Sequence, residues 1–168
     1  MNDAAPSAQQ QIVASLPRLR RFARTLTRNA HDADDLVQVA VERALLHIDQ
    51  WRPDASLLSW LFGIVRNAWL DEARARRRRL RIFTSDEDGA HVSDPAVQSN
   101  EQRLAIDAAM AQLPDEQRLV VGLVLVEGFS YKEAAEVLEV PMGTLTSRLA
   151  RARATLVELL EDSADTAS

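Results

Sequence analysis

The sequence predicts an all-α protein in which two small helical domains are joined by a flexible acidic linker. Apolar residues recur at intervals of three and four through most of the chain, which is the pattern of amphipathic helices. Residues 84–100 interrupt this pattern with Ser, Asp, Gly and Asn residues and with Pro95. The chain has 168 residues, of which 46% are hydrophobic, and this suffices for one ordinary core or two small ones.

Composition excludes several classes of protein. The chain contains no cysteine, which excludes a disulfide scaffold, a thiolate zinc site and a thiol nucleophile. His31, His47 and His91 lack the spacing of metal ligands, so we expect no metal and no other cofactor. No apolar run approaches the ~18 residues of a membrane span, and residues 1–11 lack the basic start and apolar core of a signal peptide. We therefore expect a cytoplasmic protein without membrane insertion.

Charge divides the chain into three parts. Residues 1–84 hold 14 arginines and 9 acidic residues, for a net charge of +5. Residues 85–113 and residues 114–168 each carry a net charge of −5. The whole-chain charge of −5 would by itself argue against a nucleic-acid-binding protein, whose domain is usually basic. Its partition indicates instead a basic first module, an acidic connector and a mixed last module.

These three parts define the predicted domains. The first module covers residues 11–83, the acidic linker residues 84–105 and the last module residues 106–162, with a helix resuming near Asn100. A solvated loop within one domain is the alternative interpretation of the middle segment. A structureless loop of this length is uncommon inside a compact domain, which favours the linker.

Two amphipathic helices open the first module. The second of them begins with the acidic residues of 32–35, which suit the positive end of a helix dipole, and ends near Trp51. The first helix carries arginines, among them Arg18 and Arg21, opposite its apolar face. That apolar face consists of Leu16, Leu19, Phe22, Ala23 and Leu26. The residues that the second helix is expected to bury are Leu36, Val37, Ala40, Val41, Ala44, Leu45 and Ile48.

A third helix, predicted over residues 56–79 with Ser56 as its N-cap, combines aromatic rings with a run of arginines. Trp60, Phe62 and Trp69 are either core residues or rings on which DNA bases stack. Six basic residues lie within 74–81, and they repel one another unless an anion is near. Because guanidinium groups bind backbone phosphates, this run is the strongest compositional indication of a nucleic-acid partner.

The last module has the pattern of a helix-turn-helix. An apolar helix from Pro114 ends at Gly128, and the pair Ser130 and Glu133 has the spacing of a capping box at the start of the next helix. After a turn at 139–141, a last helix runs to about residue 160, with Leu145, Leu149 and Leu156 facing inward and the small Ala135 where the two helices cross. Two helices joined by a tight turn predict a DNA-binding motif. A plain helical hairpin with a polar outer face is the alternative.

Five sequence blocks carry a family resemblance. They are residues 32–38 (DADDLVQ), 60–68 (WLFGIVRNA), 113–118 (LPDEQR), 128–135 (GFSYKEAA) and 143–153 (GTLTSRLARAR). In these blocks the chain resembles an extracytoplasmic-function sigma factor of the sigma-70 family. The resemblance covers roughly residues 11–160, in the order and spacing of the family.

The resemblance implies an alternative sigma factor, a non-enzymatic subunit that binds core RNA polymerase and directs promoter-specific transcription initiation in the bacterial cytoplasm. The implied contacts with the clamp of the largest polymerase subunit are Asp35, Gln38 and Glu42, and the last module would bind the flap of the second subunit. The implied contacts with the −10 element and its non-template strand are Trp60, Arg66, Asn67, Arg74, Arg77 and Arg78. Those with the −35 element are Thr144, Thr146, Ser147, Arg148, Ala150, Arg151 and Arg153. Promoter DNA and an anti-sigma factor that clamps both modules are the further partners.

Three positions depart from the family pattern. Val39 stands where an acid is usual, which puts one polar clamp contact in doubt. Glu139 stands where the turn usually has Gly, and a left-handed backbone there would cost about 1 kcal/mol or more. Thr146 stands where a basic residue is frequent, so contact with the −35 element there should depend less on salt.

Two other functions explain the sequence less completely. A stand-alone helix-turn-helix regulator that binds DNA without polymerase explains residues 114–160 but leaves the third helix and the acidic connector without a role. An enzyme using Asp34, Asp35 and Glu42 lacks a His or Cys partner for these acids.

Overall fold

The structure is a computed structural model that describes residues 5–82 and 100–166. Every regular element within these ranges is a helix. This confirms the all-α prediction. The first module consists of α1 (Ala8–Thr27), α2 (Ala30–Leu46), a short 3-10 turn (Ile48–Gln50) and α3 (Leu57–Ile82). The last module consists of α4 (Asn100–Gln112), α5 (Asp115–Val121), a π-helical turn (Gly122–Val126), α6 (Tyr131–Leu138) and α7 (Met142–Thr166). Within the predicted linker, residues 100–105 are thus helical, and residues 84–99 lie outside the described ranges.

Side-chain caps set the starts of the helices, as their sequence predicts. The Ser56 hydroxyl accepts a hydrogen bond from the backbone N–H of Ser59 at 3.2 Å. Ser130 and Glu133 form a reciprocal capping box, with backbone-to-side-chain distances of 2.9 and 3.1 Å. Gly128 has a positive φ of 74°, which explains why the chain leaves the helical conformation there. These three predictions are confirmed.

The second helix is shorter than predicted. It ends at Leu46 rather than near Trp51, because a 3-10 turn follows and the Trp51 backbone is extended. The Trp51 indole N–H donates a hydrogen bond to the carbonyl oxygen of Ala55, which closes the loop toward α3. Leu45, predicted to be buried, lies in the last turn of α2 and is 46% exposed. The prediction of its burial is therefore wrong.

The apolar helix predicted over 114–127 is also interrupted. It forms a regular helix only as far as Val121, and the next five residues make a π-helical turn whose last two side chains, Leu125 and Val126, are exposed. A π turn adds one residue per turn and thereby rotates the following segment. The rotation leaves Glu127 buried, although its neighbours on both sides are exposed.

The two modules share one hydrophobic core. Phe22 of α1 packs against Phe62 of α3 in a tilted arrangement with ring centroids 4.8 Å apart, and Phe62 in turn lies 5.0 Å from Phe129 of the last module. All three rings are buried. Gly122 approaches α1 so closely that a Cβ atom there would lie 2.9 Å from the Phe22 ring. The described residues therefore show the modules packed against each other.

The helix-turn-helix has its expected packing. Leu145 and Leu149 of α7 are buried beneath α6, and Ala135 is buried where the helices cross. The turn between them contains Glu139, whose backbone is left-handed at φ 55° and ψ 43°. A left-handed conformation costs a non-glycine residue about 1–2 kcal/mol, so the turn keeps the family geometry at some expense of stability.

Candidate nucleic-acid and polymerase interfaces

The second helix of the helix-turn-helix presents a polar and basic outer face. On the side opposite Leu145 and Leu149, the exposed side chains are those of Thr146, Ser147, Ala150, Arg151 and Arg153. Of the other two residues predicted for the −35 element, Thr144 is half-buried and Arg148 forms an ion pair of 3.1 Å with Glu116. This arrangement brings five of the seven predicted residues to one accessible helix surface, and a major groove is wide enough to admit an α-helix.

The aromatic residues of α3 divide between core and surface. Phe62 and Trp69 are buried, at 0% and 5% exposure, so the core interpretation holds for both. Trp60 is half-buried and packs against the edge of the core. Of the three rings, only Trp60 offers part of its face to a base.

The arginine run at the end of α3 has carboxylate partners within the chain. Arg77 forms an ion pair with Asp115 of α5, across the boundary between the modules. Arg74 lies 3.7 Å from Asp71, in the same helix. Arg78 is exposed and has no ion pair within the described residues. Carboxylates of the protein itself, those of Asp71 and Asp115, thus balance part of the positive charge of the arginine run.

Arg66 has the most extensive contacts of the predicted DNA-binding residues. It is 7% exposed, and its Nη1 donates to the carbonyl oxygen of Val137 at 2.6 Å. Its Nε and Nη2 donate to Oδ1 of the neighbouring Asn67 at 3.0 and 2.6 Å, and Nη2 lies 3.1 Å from a Glu139 carboxylate oxygen. Asn67 itself is exposed, but its amide oxygen is occupied by Arg66.

A third ionic contact between the modules involves Glu127, whose side chain is fully buried. Arg21 of α1 donates two hydrogen bonds to this carboxylate, at 3.0 and 2.6 Å, which raises the pKa of Arg21 above its ordinary value. Arg18 donates to the backbone carbonyl oxygen of Glu127 at 2.9 Å. This contact was not predicted from the sequence. The feature that could have indicated it is Glu127 itself, a single acid at the end of an apolar run.

Arg118 of α5 was also missed by sequence reasoning. Its guanidinium donates hydrogen bonds to four carbonyl oxygens at the ends of α1 and α4, and burial lowers its pKa. It also lies 5.7 Å from the centre of the Trp69 ring. The four acceptors are those of Leu26, Met110, Ala111 and Leu113, at 2.9 to 3.1 Å.

The predicted polymerase-binding residues lie together on one exposed face of α2. Asp35, Gln38 and Glu42 are all exposed, and the Gln38 amide donates to Glu42 at 3.4 Å. A groove of about 470 Å³ runs beside this face between α2 and α3, and Val39 lines it. Val39 is 40% exposed. Where the family usually has an acid, the surface of this protein therefore offers an apolar side chain.

Two further searches cover only the parts of the chain that the structure describes. Residues 5–82 and 100–166 contain no group of three or more His, Cys, Asp or Glu side chains that could bind a metal ion. No helix within these ranges has the length and apolar character needed to cross a membrane.

Comparison with known proteins identifies the family. The family model of Sigma-70 region 2 matches residues 12–79, and that of Sigma-70 region 4 matches residues 103–156. An ECF RNA polymerase sigma factor, EcfG of Rhodopseudomonas palustris, is 40% identical over 92% of this chain and 85% of its own length. The chain belongs to the ECF RNA polymerase sigma factors. It is a promoter-specificity factor for transcription initiation and not an enzyme.

Other relatives support the same assignment. The ECF sigma factor SigM of Mycobacterium tuberculosis is 42% identical over 84% of this sigma factor and 71% of its own length. Among solved structures, the sigma factor RpoE of Bartonella quintana, crystallised with the anti-sigma factor NepR, is 31% identical and has a TM-score of 0.77. The alignment covers 91% of this sigma factor and 96% of that chain. The structure of CnrH in complex with the cytosolic domain of CnrY is 25% identical, with a TM-score of 0.66 and coverage of 92% and 88%.

Proposed function

We propose that this sigma factor reads the −35 element with the outer face of α7 and opens the −10 element with α3. The observation that carries the proposal is the exposed polar and basic face of α7, set on a helix-turn-helix whose caps and core are complete. A stand-alone regulator would need the same face. It would have no use for a second DNA-binding helix in a separate module, and the family membership favours the sigma factor.

At the −35 element, specificity would come from few side chains. Thr146, Ser147 and Ala150 are short and exposed, so they can approach base edges or thymine methyl groups in a major groove. Arg151 and Arg153 are long enough to reach a guanine edge or a phosphate. A good bidentate contact with a base is worth about 1–3 kcal/mol of discrimination.

At the −10 element, the proposed roles differ along α3. Trp60 would stack on an unpaired base, which is worth roughly 1–3 kcal/mol. Asn67 would read a base edge through its amide, while Arg66, Arg74, Arg77 and Arg78 would hold the non-template phosphates. Capturing an unstacked base costs a few kcal/mol, and stacking together with phosphate contacts can offset that cost.

The exposed face of α2 is the proposed contact with polymerase. Asp35, Gln38 and Glu42 would bind the clamp of the largest subunit, with Val39 adding an apolar contact at the centre of the face. The last module would bind the flap of the second subunit. Because core polymerase is a bacterial cytoplasmic enzyme, we place the sigma factor in that compartment.

An anti-sigma factor is a further proposed partner. The related structures of RpoE and CnrH were each solved in complex with a protein or domain that binds the sigma factor. An inhibitor of this sigma factor would bind both modules and block the α2 face. Isolation of a fully active sigma factor without a partner from unstressed cells would argue against it.

Run-off transcription tests the proposal directly. The purified sigma factor is added to bacterial core RNA polymerase with fragments of genomic promoters, and transcripts are expected only when the factor is present. Arg151→Ala is expected to reduce transcription from −35-dependent promoters, whereas Glu161→Ala, at an exposed site further along α7, should not. Absence of any promoter-dependent transcript, with tight binding of duplex DNA by the chain alone, would favour the stand-alone regulator.

A further inference from the structure

The outer face of α7 carries an apolar stripe beside its arginines. Met142, Thr146 and Ala150 follow one another at intervals of four residues, and all three are exposed. We infer that this stripe reads the C5-methyl groups of at least two thymines on one strand of the −35 element, with Met142 as a base-contacting residue. The inference rests on the proposed function, because only a helix that lies in the major groove can reach those methyl groups.

Met142 is the first residue of α7 and is 46% exposed, although Leu145 in the same turn is completely buried. In helix-turn-helix proteins, the N-terminal residues of the second helix contact base edges. Met142 therefore lies where base contacts are made. Its thioether side chain is flexible and polarisable, so it can adapt its shape to an apolar group such as a methyl.

Thr146 offers a methyl group to the DNA and not a hydroxyl donor. Its Oγ1 donates a hydrogen bond of 2.7 Å to the carbonyl oxygen of Met142, one turn earlier. A threonine hydroxyl has a single O–H, so this bond leaves none for a base. Because the hydroxyl turns back toward the helix backbone, the methyl group is free to face outward. The Ser147 hydroxyl is engaged in the same way, since it donates to the carbonyl oxygen of Thr144 at 3.1 Å.

The side chains that best read adenine and cytosine are missing from this part of α7. Residues 142–153 contain no Asn or Gln, which form paired hydrogen bonds with adenine, and no Asp or Glu, which accept from the cytosine amino group. The arginines suit guanine or phosphate, and the apolar groups suit the thymine methyl. Thymine is thus the base that the stripe can recognise.

The length of the stripe matches a short run of bases. The eight residues from Met142 to Ala150 correspond to about 12 Å along a helix. Successive bases on one strand are about 3.4 Å apart, so a helix that follows the groove places the stripe along roughly three base steps. Arg151 and Arg153 are exposed at the end of the stripe, where they can hold the flanking phosphates.

Replacement of thymine by deoxyuridine tests the inference, because it removes the methyl group and keeps every hydrogen bond of the base pair. A promoter found by run-off transcription is used as duplex DNA, and each thymine of its −35 element, on either strand, is replaced in turn. The affinity of the holoenzyme, formed from core polymerase and the full sigma factor, is measured at one fixed salt concentration. The variants are Met142→Ala, Thr146→Ser and Thr146→Val. The control is Val157→Ala, at an exposed apolar site further along α7.

Loss of a contacted methyl group should lower the affinity of the unsubstituted holoenzyme about fourfold, at two or more thymines. At one of them the replacement should have no further effect in Met142→Ala, because the protein partner of that methyl group is already gone and the two losses are not additive. Val157→Ala should show the same fourfold loss as the unsubstituted protein.

The two variants of Thr146 separate a methyl contact from a hydroxyl contact. Thr146→Val keeps an outward methyl group and should bind the unmodified promoter within twofold of the unsubstituted protein. Thr146→Ser keeps only the hydroxyl and should bind about fourfold more weakly. The opposite order, with the valine variant weaker than the serine variant, would overturn the inference.

Equal effects of deoxyuridine on the unsubstituted protein and on Met142→Ala, at every thymine, would also overturn it, as would a −35 element without thymine on either strand. Run-off transcription separates the inference from the proposed function. If promoters are transcribed but deoxyuridine has no effect, the proposed function stands and only the inference fails. If no promoter is transcribed when the sigma factor is added, the proposed function fails, and the inference fails with it.

Discussion

The guanidinium of Arg66 in α3 donates a hydrogen bond of 2.6 Å to the backbone carbonyl oxygen of Val137 in α6. The cap of a helix in the last module is thus a side chain of the first. Helix ends leave carbonyl groups without partners, and a buried unpaired carbonyl costs about 1–3 kcal/mol. The conformation of the helix-turn-helix is consequently coupled to the packing of the modules.

Arg118 is expected to be the most important single arginine for stability. Replacement by Met should lower the free energy of unfolding by about 3 kcal/mol. Four carbonyl oxygens would lose their charged donor, and those that stay buried would have no other hydrogen-bond partner. Urea unfolding measures the change. Arg118→Lys should recover only part of the loss, since an ammonium group cannot reach all four acceptors. Equal stability of Arg118→Met and the unsubstituted protein would contradict this assignment.

At Glu139, backbone strain and an ion pair act in opposite directions. Glycine relieves the left-handed strain by about 1 kcal/mol, whereas the ion pair with Arg66 is worth about 0–1 kcal/mol because the Glu139 side chain is 79% exposed. Strain should dominate, so Glu139→Gly is expected to leave stability unchanged or to raise it by up to about 1 kcal/mol. Thermal unfolding measures the sign. A clear loss of stability would show that the ion pair with Arg66 contributes more to the free energy of unfolding than the backbone strain at Glu139 removes.

The capping box at the start of α6 makes stability depend on pH. Hydrogen bonds from Ser130 lower the pKa of Glu133 in the folded state. Its carboxylate therefore contributes stability above the unfolded pKa, and this contribution is lost as the pH falls through the folded pKa. Glu133→Gln, which removes the ionisable carboxylate but keeps an oxygen that can accept the Ser130 N–H, should lower stability at neutral pH. The difference in free energy of unfolding between the variant and the unsubstituted protein should shrink in acid. Unfolding curves measured across this pH range test this expectation. A difference that stays constant would mean that the capping box is not its source.

Asn67→Ala should weaken promoter opening by about tenfold, which corresponds to the loss of one good base-edge contact. Binding to core polymerase should stay within twofold, because Asn67 lies on α3, away from the exposed face of α2. Permanganate footprinting of the −10 element and a polymerase pull-down give the two quantities. An equal loss in both would remove the proposed role of Asn67.

Thr146→Arg should make binding of the holoenzyme to the −35 element more sensitive to salt. One added phosphate contact steepens the slope of log affinity against log salt concentration by about 0.9. The control is Glu161→Gln, which changes the net charge by the same amount four turns further along α7. Equal slopes in the two variants would place Thr146 away from the DNA backbone.

Local features of the fold were predictable from sequence because local rules produce them. The capping box at Ser130, the helix end at Gly128 and the buried faces of α1 and α7 follow from spacing and from backbone preferences within a few residues. The end of α2 was misplaced because apolar spacing continues past Leu46 although the backbone turns. Nothing in that spacing reveals the 3-10 turn or the exposure of Leu45.

The contacts between modules could not be predicted in the same way. Arg21 and Glu127 are 106 residues apart, and neither has a sequence neighbour that indicates the other. Arginines on the polar face of an amphipathic helix are usually solvated, so the pattern of α1 alone does not indicate that Arg21 pairs with a buried acid. For the candidate site, the exposed residues of α2 and α7 were identified from sequence, whereas the burial of Arg66 depends on three-dimensional packing.

The long separation between Arg21 and Glu127 also matters while the chain is being made. At synthesis rates of about 5–20 residues per second, roughly 5–20 s pass between the appearance of Arg21 and that of its carboxylate partner. In the second part of this interval, after Ile82 has been added, the sequences of α1, α2 and α3 are complete, and the arginines that will pair with Glu127 are open to any polyanion near the ribosome. The nascent protein is therefore most exposed to ribosomal and messenger RNA before its own acidic half has been translated.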